Sequence, residues 1–228
     1  MSNAKNEYEH LKGKILEIEV SGKNFIIGKL LDYGPDIFVI HNGKDFLYVP
    51  SIHLQRIQVA DEIAESSSGV DFQHLAIDYS EDSPISLRKI LMNAKGQFVQ
   101  VYVTGNKSIH GYVTNIMNDY FVFYSPIYKT TFISLQHLKW LIPYRENHTP
   151  YSLNDEMLPV RPATVPLSRT FEEQCKRMQN NLVVFDLGEN TKKIGLLKDV
   201  VNNKIKLVSA GGETVYWNLQ HLKTLHTP

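Results

Sequence analysis

Apolar and polar residues alternate along much of this chain with a period of two. Leu16, Ile18 and Val20 alternate with Glu17 and Glu19, and Val99, Val101 and Val103 with Gln100, Tyr102 and Thr104. That period puts one set of side chains on a single face of an extended segment, and the segments are rich in β-branched and aromatic residues, as strands are. Between them stand Asn42-Gly43, Asn118-Asp119, Asn202-Asn203 and Gly211-Gly212, residue types that accept the positive φ of tight hairpins. The strands are therefore expected to be short and antiparallel. The period changes in two places. Leu87, Ile90, Leu91 and Ala94 lie on one helical face, with Ser83-Pro84 as cap and first helical residue and Gly96 as the stop, which predicts a helix over Ser83–Lys95. Thr170 and Glu173 make a capping box ahead of the stripe Phe171, Cys175, Met178, which predicts a helix over Thr170–Gln179. A shorter helix is expected around Glu7–Lys12.

The alternating pattern repeats on a larger scale. Tyr48-Val49-Pro50-Ser51-Ile52-His53-Leu54-Gln55-Arg56-Ile57 has counterparts in Phe132-Ile133-Ser134-Leu135-Gln136-His137-Leu138-Lys139-Trp140-Leu141 and in Tyr216-Trp217-Asn218-Leu219-Gln220-His221-Leu222-Lys223-Thr224-Leu225. The three histidines are 84 residues apart, and Gly28, Gly111 and Gly195 recur at 83 and 84. One structural unit is used three times. Each reads as a short helix followed by about five strands, and a bent antiparallel sheet of that size closes most simply into a small barrel, with the strand glycines at its corners. The fold class expected is mainly β, three tandem five-stranded Sm-like or SH3-like barrels: repeat 1 over 1–58, repeat 2 over 83–145, repeat 3 over 168–228. An acidic linker, 59–82, and a proline-rich one, 146–167, separate them. Phe72, Leu75, Ile77, Met157 and Leu158 suggest that the linkers dock partly on the barrels.

Composition narrows the class of function. The 228 residues are 43% hydrophobic and 21% charged with zero net charge, ordinary for a globular protein. No apolar run reaches the roughly 20 residues of a membrane-spanning helix, and the polar start, Met1 to Glu7, has no signal-peptide character, so synthesis in the cytoplasm is expected. The single cysteine, Cys175, excludes an internal disulfide and any CxxC site, and its place on a helix stripe reads as a buried hydrophobe. The charge is segregated. Residues 59–82 carry seven acidic and no basic residues, whereas 83–145 carry seven basic residues and one acid, Asp119. The acidic linker could fold onto the basic repeat, there or on a neighbour, through residues such as Lys89, Lys95, Lys107 and Lys129, or it could simply be solvated.

Reaction chemistry is absent from the pattern. There is no HExxH, GxSxG, P-loop or GxGxxG, Ser209 to Glu213 reads as a hairpin loop, and no carboxylate pair recurs. No catalytic, cofactor-binding or metal site is expected, and no cofactor. His53, His137 and His221 are the sharpest candidates for a repeated site, but none has a second ligand at a suitable offset. They are read as turn residues at the start of each last strand, with Leu54/Ile57, Leu138/Leu141 and Leu222/Leu225 as core anchors. An Sm-like barrel also suggests RNA binding, for which the second repeat could supply basic residues and Tyr102, Tyr112, Tyr120, Phe121, Phe123, Tyr124 and Tyr128 for stacking. Most of these alternate as core residues do. A small-ligand-binding barrel is a third reading.

Three barrel-sized units, each ending in a Tyr/Phe-x-x-x-x-His-Leu phrase, resemble the N-terminal region of spore coat protein B of Bacillus-type endospore formers. The stretch Asp45 to Leu54 is also similar to small barrel proteins of those bacteria. The likeness covers nearly the whole chain in spacing and is sharpest in the closing phrases. It does not include a Ser/Lys/Arg-rich tail, so phosphorylation is not carried over, and Ser21-Gly22-Lys23-Asn24, Thr104-Gly105-Asn106-Lys107 and Gly188-Glu189-Asn190-Thr191 stand where an Arg-Gly-Gly-Pro-Glu type of segment would. The resemblance implies a non-enzymatic structural protein of the spore coat, made in the mother cell and deposited on the forespore, whose partners are other coat proteins or further copies of itself. It supplies no catalytic residue.

Overall fold

The computed structural model describes residues 7–60, 84–104, 107–145, 150–153, 158–159 and 165–228. They are mainly β, with fifteen strands and two α-helices. The first repeat holds a one-turn 3-10 helix, Glu9–Leu11, then β1 (Ile15–Val20), β2 (Asn24–Tyr33), β3 (Ile37–His41), β4 (Phe46–Pro50) and β5 (Leu54–Val59). The second holds α1 (Leu87–Asn93), β6 (Phe98–Thr104), β7 (Lys107–Ile116), β8 (Tyr120–Ser125), β9 (Lys129–Ser134) and β10 (Trp140–Pro143). The third holds α2 (Phe171–Arg177), β11 (Leu182–Phe185), β12 (Ile194–Val201), β13 (Lys204–Val208), β14 (Thr214–Asn218) and β15 (Thr224–His226). No helix among the described residues is long and apolar enough to cross a membrane.

The chain divides into two compact units that cut across the second repeat. The first comprises Met1–Ala94, Val99–Val101 and Lys139–His148, and the second Lys95–Phe98, Tyr102–Leu138 and Thr149–Pro228. In the first, hydrogen-bonded neighbours run β10-β4-β3-β2-β1-β5, and in the second, β14-β13-β12-β11-β15-β9-β8-β7. Every registered strand pair is antiparallel. The first and third repeats thus share one strand order, fourth-third-second-first-fifth. Among the described residues, in neither does the fourth strand pair with the fifth of its own repeat.

In the first unit Leu16, Ile18 and Val20 fill the core with Ile26, Leu30, Phe38, Ile40, Leu47 and Val49, and Trp140 and Ile142 of β10 pack against them. In the second, Phe171, Cys175 and Met178 of the predicted helical stripe pack with Val183, Phe185, Leu197, Ile205 and Leu207, and with Tyr120, Val122 and Phe132 of the second repeat. Each core is thus shared between a complete repeat and strands of the second one, which suits modules near the lower size limit for an independent core.

Two features recur in all three repeats. The second and third strands slip register at Leu30/Asp32, at Val113/Asn115 and at Leu197/Asp199, the β-bulge that bends a strand pair. Just before each slip stands a repeated glycine. A Cβ there would lie 2.6 Å from the His41 carbonyl oxygen at Gly28, 2.1 Å from that of Tyr124 at Gly111 and 2.3 Å from that of Val208 at Gly195. The glycines are kept for close backbone approach at a bend. Three of the predicted turn dipeptides follow their chemistry, with Gly43, Asn202, Asn203 and Gly212 at positive φ; Asn118-Asp119 connects its strands without positive φ.

The helices need one correction. α2 is capped as the Thr170/Glu173 pattern predicts, with both capping-box bonds present. α1 begins later than expected. Its cap is Ser86, whose hydroxyl accepts from the Lys89 N–H at 3.3 Å, not Ser83, which lies outside the described residues. Pro84, Ile85 and Ser86 precede the helix because Ile85 is buried against Gly34, where a Cβ would meet the Ile85 carbonyl at 2.0 Å. The first repeat has a single 3-10 turn where a helix is expected. Most of the two linkers, Phe72, Leu75, Ile77 and Met157 included, lies outside the described residues; Leu158 is buried, and its carbonyl accepts from the Tyr112 hydroxyl at 2.9 Å.

Candidate functional site

Each closing phrase forms a one-turn 3-10 helix that ends on its histidine: Ser51–His53, Leu135–His137 and Leu219–His221. The positions are equivalent, but the three imidazoles do different things. His53 is buried and its Nδ1 lies 2.9 Å from the Ser21 hydroxyl. His137 reaches into the third repeat, where its Nε2 donates to the Gln220 carbonyl at 2.8 Å. Burial lowers its pKa, and that carbonyl pushes in the opposite direction. His221 is exposed. Among the described residues no group of three or more His, Cys, Asp or Glu could hold a metal ion.

What the fold does repeat is a junction between modules. In the first unit β4, the fourth strand of repeat 1, pairs antiparallel with β10, the fifth strand of repeat 2, with Tyr48 opposite Leu141. In the second unit β9, the fourth strand of repeat 2, pairs with β15, the fifth strand of repeat 3, with Ile133 opposite Thr224, Phe132 opposite Leu225 and Thr131 opposite His226. Subtracting 84 from Phe132 and Leu225 returns Tyr48 and Leu141, so the two junctions have one register. Both aromatic residues are buried, Tyr48 at 0% and Phe132 at 2% exposure, and so are Leu141 and Leu225.

The second junction carries a polar frame. The Ser134 N–H donates to the Lys223 carbonyl at 2.9 Å, and the Gln136 amide to that of Gln220 at 3.1 Å. Asp119, the lone acid of the second repeat, accepts the Phe171 N–H at 2.8 Å, and so helps to cap a helix of the third repeat. The Tyr120 hydroxyl, fully buried, donates to the Ser168 carbonyl at 2.7 Å and lies 3.1 Å from Gln174 Oε1. Burial is the main cause that pushes its pKa up to about 12, so it stays a donor. Asp186 is buried and accepts from the Lys223 and Thr224 N–H groups at 2.7 and 3.2 Å, and pairs with Lys193. The equivalent of Asp186 in the first repeat is Glu19, half-buried and 3.6 Å from Arg56. Asp119 was visible only as a solitary acid in a turn dipeptide.

The other candidates separate. Six of the seven aromatic residues considered for stacking, Tyr102, Tyr112, Tyr120, Phe121, Phe123 and Tyr124, are buried, and Tyr128 is half-buried. Lys89 and Lys129 each donate to a nearby backbone carbonyl, of Pro84 and Pro126. Cys175 is buried, which raises its thiol pKa; it is a packing residue. The acidic linker lies outside the described residues. A shallow recess between α2 and the β12–β13 turn, lined by Glu172, Lys176, Asn202 and Asn203, brings together no chemistry beyond the Glu172–Lys176 pair at 2.8 Å.

Comparison with known proteins gives two matches. A family model described as the YwrJ third domain matches residues 170–225, the stretch from the cap of α2 to the last strand. Over 215 residues, 93% of this chain and 95% of the other, the sequence is 48% identical to a protein of Bacillus subtilis (strain 168) called uncharacterized protein YwrJ.

Proposed function

The chain belongs to the YwrJ family, and we propose that it is a non-enzymatic structural protein of the bacterial endospore coat that assembles by multivalent protein–protein docking. On this reading each repeat is a small Sm-like or SH3-like barrel, the protein is made in the mother cell, and its partners are other coat proteins. The observation that carries the reading is the junction: fourth strand joins fifth strand twice, in one register, burying an aromatic residue against a leucine each time. The repeats are built to dock on one another through backbone pairing, which needs no reactive side chain. Several such contacts on one chain add through effective concentration, so a lattice forms without any tight single site. The coat assignment draws on the closing phrases that resemble spore coat protein B, and on a relative from a Bacillus.

A fluorescent fusion followed through sporulation tests it. Rings at the forespore surface, together with loss of label from the coat fraction when the junction strands are altered, are the expected result. Diffuse cytoplasmic signal, with purified protein that holds RNA and releases it steeply as salt rises, would replace the coat reading with RNA binding.

A further inference from the structure

We infer that β14 of one molecule pairs with β5 of a second copy, forming between molecules the junction that the chain forms twice within itself. Among the described residues β14 and β5 each have a hydrogen-bonded neighbour on one side only, β13 and β1. β14 is the fourth strand of the third repeat and β5 the fifth strand of the first. They are the fourth and fifth strands left unmatched once β4–β10 and β9–β15 have formed. An unmatched strand presents a row of backbone donors and acceptors ready for another strand.

The register follows from the internal junctions. Moving Phe132–Leu225 forward by one repeat on the fourth-strand side puts Tyr216 on β14. Moving it back by two repeats on the fifth-strand side puts Ile57 on β5. The incoming pairs are then Tyr216 opposite Ile57, Trp217 opposite Arg56 and Val215 opposite Gln58. The exposures identify what is missing. Tyr216 is 63% exposed, whereas its equivalents Tyr48 and Phe132 are 0% and 2%. Ile57 is half-buried, whereas Leu141 and Leu225 are buried.

The devices that guard sheet edges leave the pairing stretch open. Neither β5 nor β14 is broken by an internal proline, the bulge of β5 falls at Gln55, ahead of Arg56–Gln58, and the Arg56 guanidinium is drawn over β1 by Glu17 at 2.5 Å and Glu19 at 3.6 Å. On β14, Lys193 sits over the Trp217 ring at 4.8 Å, and the indole N–H donates to the Lys192 carbonyl at 3.0 Å, which holds that side chain in place beside Tyr216. The contact joins two different surfaces, so it is head-to-tail and leaves an assembly of any length with one β14 and one β5 still to fill. It deepens the coat reading by naming a partner, and its use in a coat rests on that reading; the pairing itself rests on the strands.

Sedimentation of the purified chain at rising concentration, with edge variants, tests the inference. The wild type should grow beyond a monomer, and Tyr216→Asp, at an exposed position, should weaken association by at least about tenfold. Tyr216→Asp copies keep β5 and Ile57→Asp copies keep β14, so each alone should stay monomeric and an equal mixture should stop at dimers. Because Ile57 also packs on its own core, a second pair of variants leaves it intact. Gln58→Cys and Val215→Cys copies, mixed and oxidised with glutathione disulfide, should form a cross-linked heterodimer in preference to either homodimer; native Cys175 is buried. A wild type that is monomeric at every concentration, a Tyr216→Asp chain that associates undiminished, or cross-linking without preference for the heterodimer would overturn it. Forespore rings with a wild type that is monomeric at every concentration would leave the coat reading standing while this inference falls; diffuse signal with intact head-to-tail pairing would do the reverse.

Discussion

The first and third repeats share a strand order and a register, yet they hold their first and fifth strands together by different means. In repeat 1 the backbone of β1 pairs with β5 from Leu16 to Val20, with a slip between Glu19 and Val20. In repeat 3 the matching pairs are Val184 with His226 and Phe185 with Leu225, and there pairing ends. The chain turns into positive φ at Asp186 and Leu187, and the Asp186 carboxylate takes up the N–H groups of Lys223 and Thr224 in place of a neighbouring carbonyl. A buried carboxylate thus does in one repeat what the main chain does in the other. Main-chain pairing tolerates side-chain change, because every residue but proline carries the same donor and acceptor. A buried carboxylate with an ammonium partner does not.

That difference is most open to attack at Asp186. Asp186→Ala leaves Lys193, whose side chain is 15% exposed, without its partner, and two backbone donors without an acceptor. The expected loss is about 3–5 kcal/mol, measured by denaturant titration with Trp217 as the reporter in a Trp140→Phe background. Glu19→Ala at the equivalent position of repeat 1, where the Arg56 contact is 3.6 Å and partly solvated, should cost under about 1 kcal/mol. Equal losses at the two sites would break the comparison.

The glycines ask whether the repeats also resemble each other where they look alike. Gly28→Ala and Gly195→Ala each drive a methyl group into a carbonyl oxygen, at 2.6 and 2.3 Å. Each should cost about 1–3 kcal/mol, with Gly195→Ala the worse. Denaturant titration measures it, read by Trp140 in a Trp217→Phe background for the first repeat and by Trp217 in a Trp140→Phe background for the third. An alanine variant as stable as the parent would remove the shared bend from the list of what the repeats have in common.

A smaller effect comes with pH. Burial lowers the pKa of His41 in the first repeat and of His226 in the third, and likewise of His110 and His137, from the ordinary 6.5. The unfolded chain takes up protons as the pH falls through 6.5 while the native rings stay neutral. Stability is therefore full above that pH and declines below it until the native rings also titrate. Unfolding free energies at about pH 7.5 and 5.5 should differ in that sense, and His41→Gln and His226→Gln should each flatten the slope. A flat profile for the parent chain would remove buried neutral histidine from both repeats.

How much of this was legible beforehand depends on how local the signal is. The capping box at Thr170, three of the four turn dipeptides and the alternation at Leu16–Val20 involve neighbours in sequence, and each forms what its residues suggest. The repeated glycines announced a bend, and the bend is there. The start of α1 was misplaced because the decisive contact, Ile85 on Gly34, spans about fifty residues and leaves no local mark. The histidines were rightly grouped by position, but their environments differ because each faces a different neighbour. The fourth-to-fifth strand junction was hidden for the same reason. Period-two alternation states that a strand has two faces and is silent about which strand lies at its edge. The 84-residue spacing held the register of that junction all along, readable only once one pair was known.

The shared register has a consequence for how such a chain can change length. A tandem duplication of one 84-residue repeat brings in one fourth strand and one fifth strand together. Inserted at a junction, it presents to each neighbour the partner that neighbour already had, with an aromatic residue opposite a leucine or isoleucine. Among the described strands, one fourth strand and one fifth strand stay unmatched whatever the number of repeats. Chains of different repeat number drawn from this pattern would therefore end in the same two surfaces and could be exchanged for one another without redesigning either end.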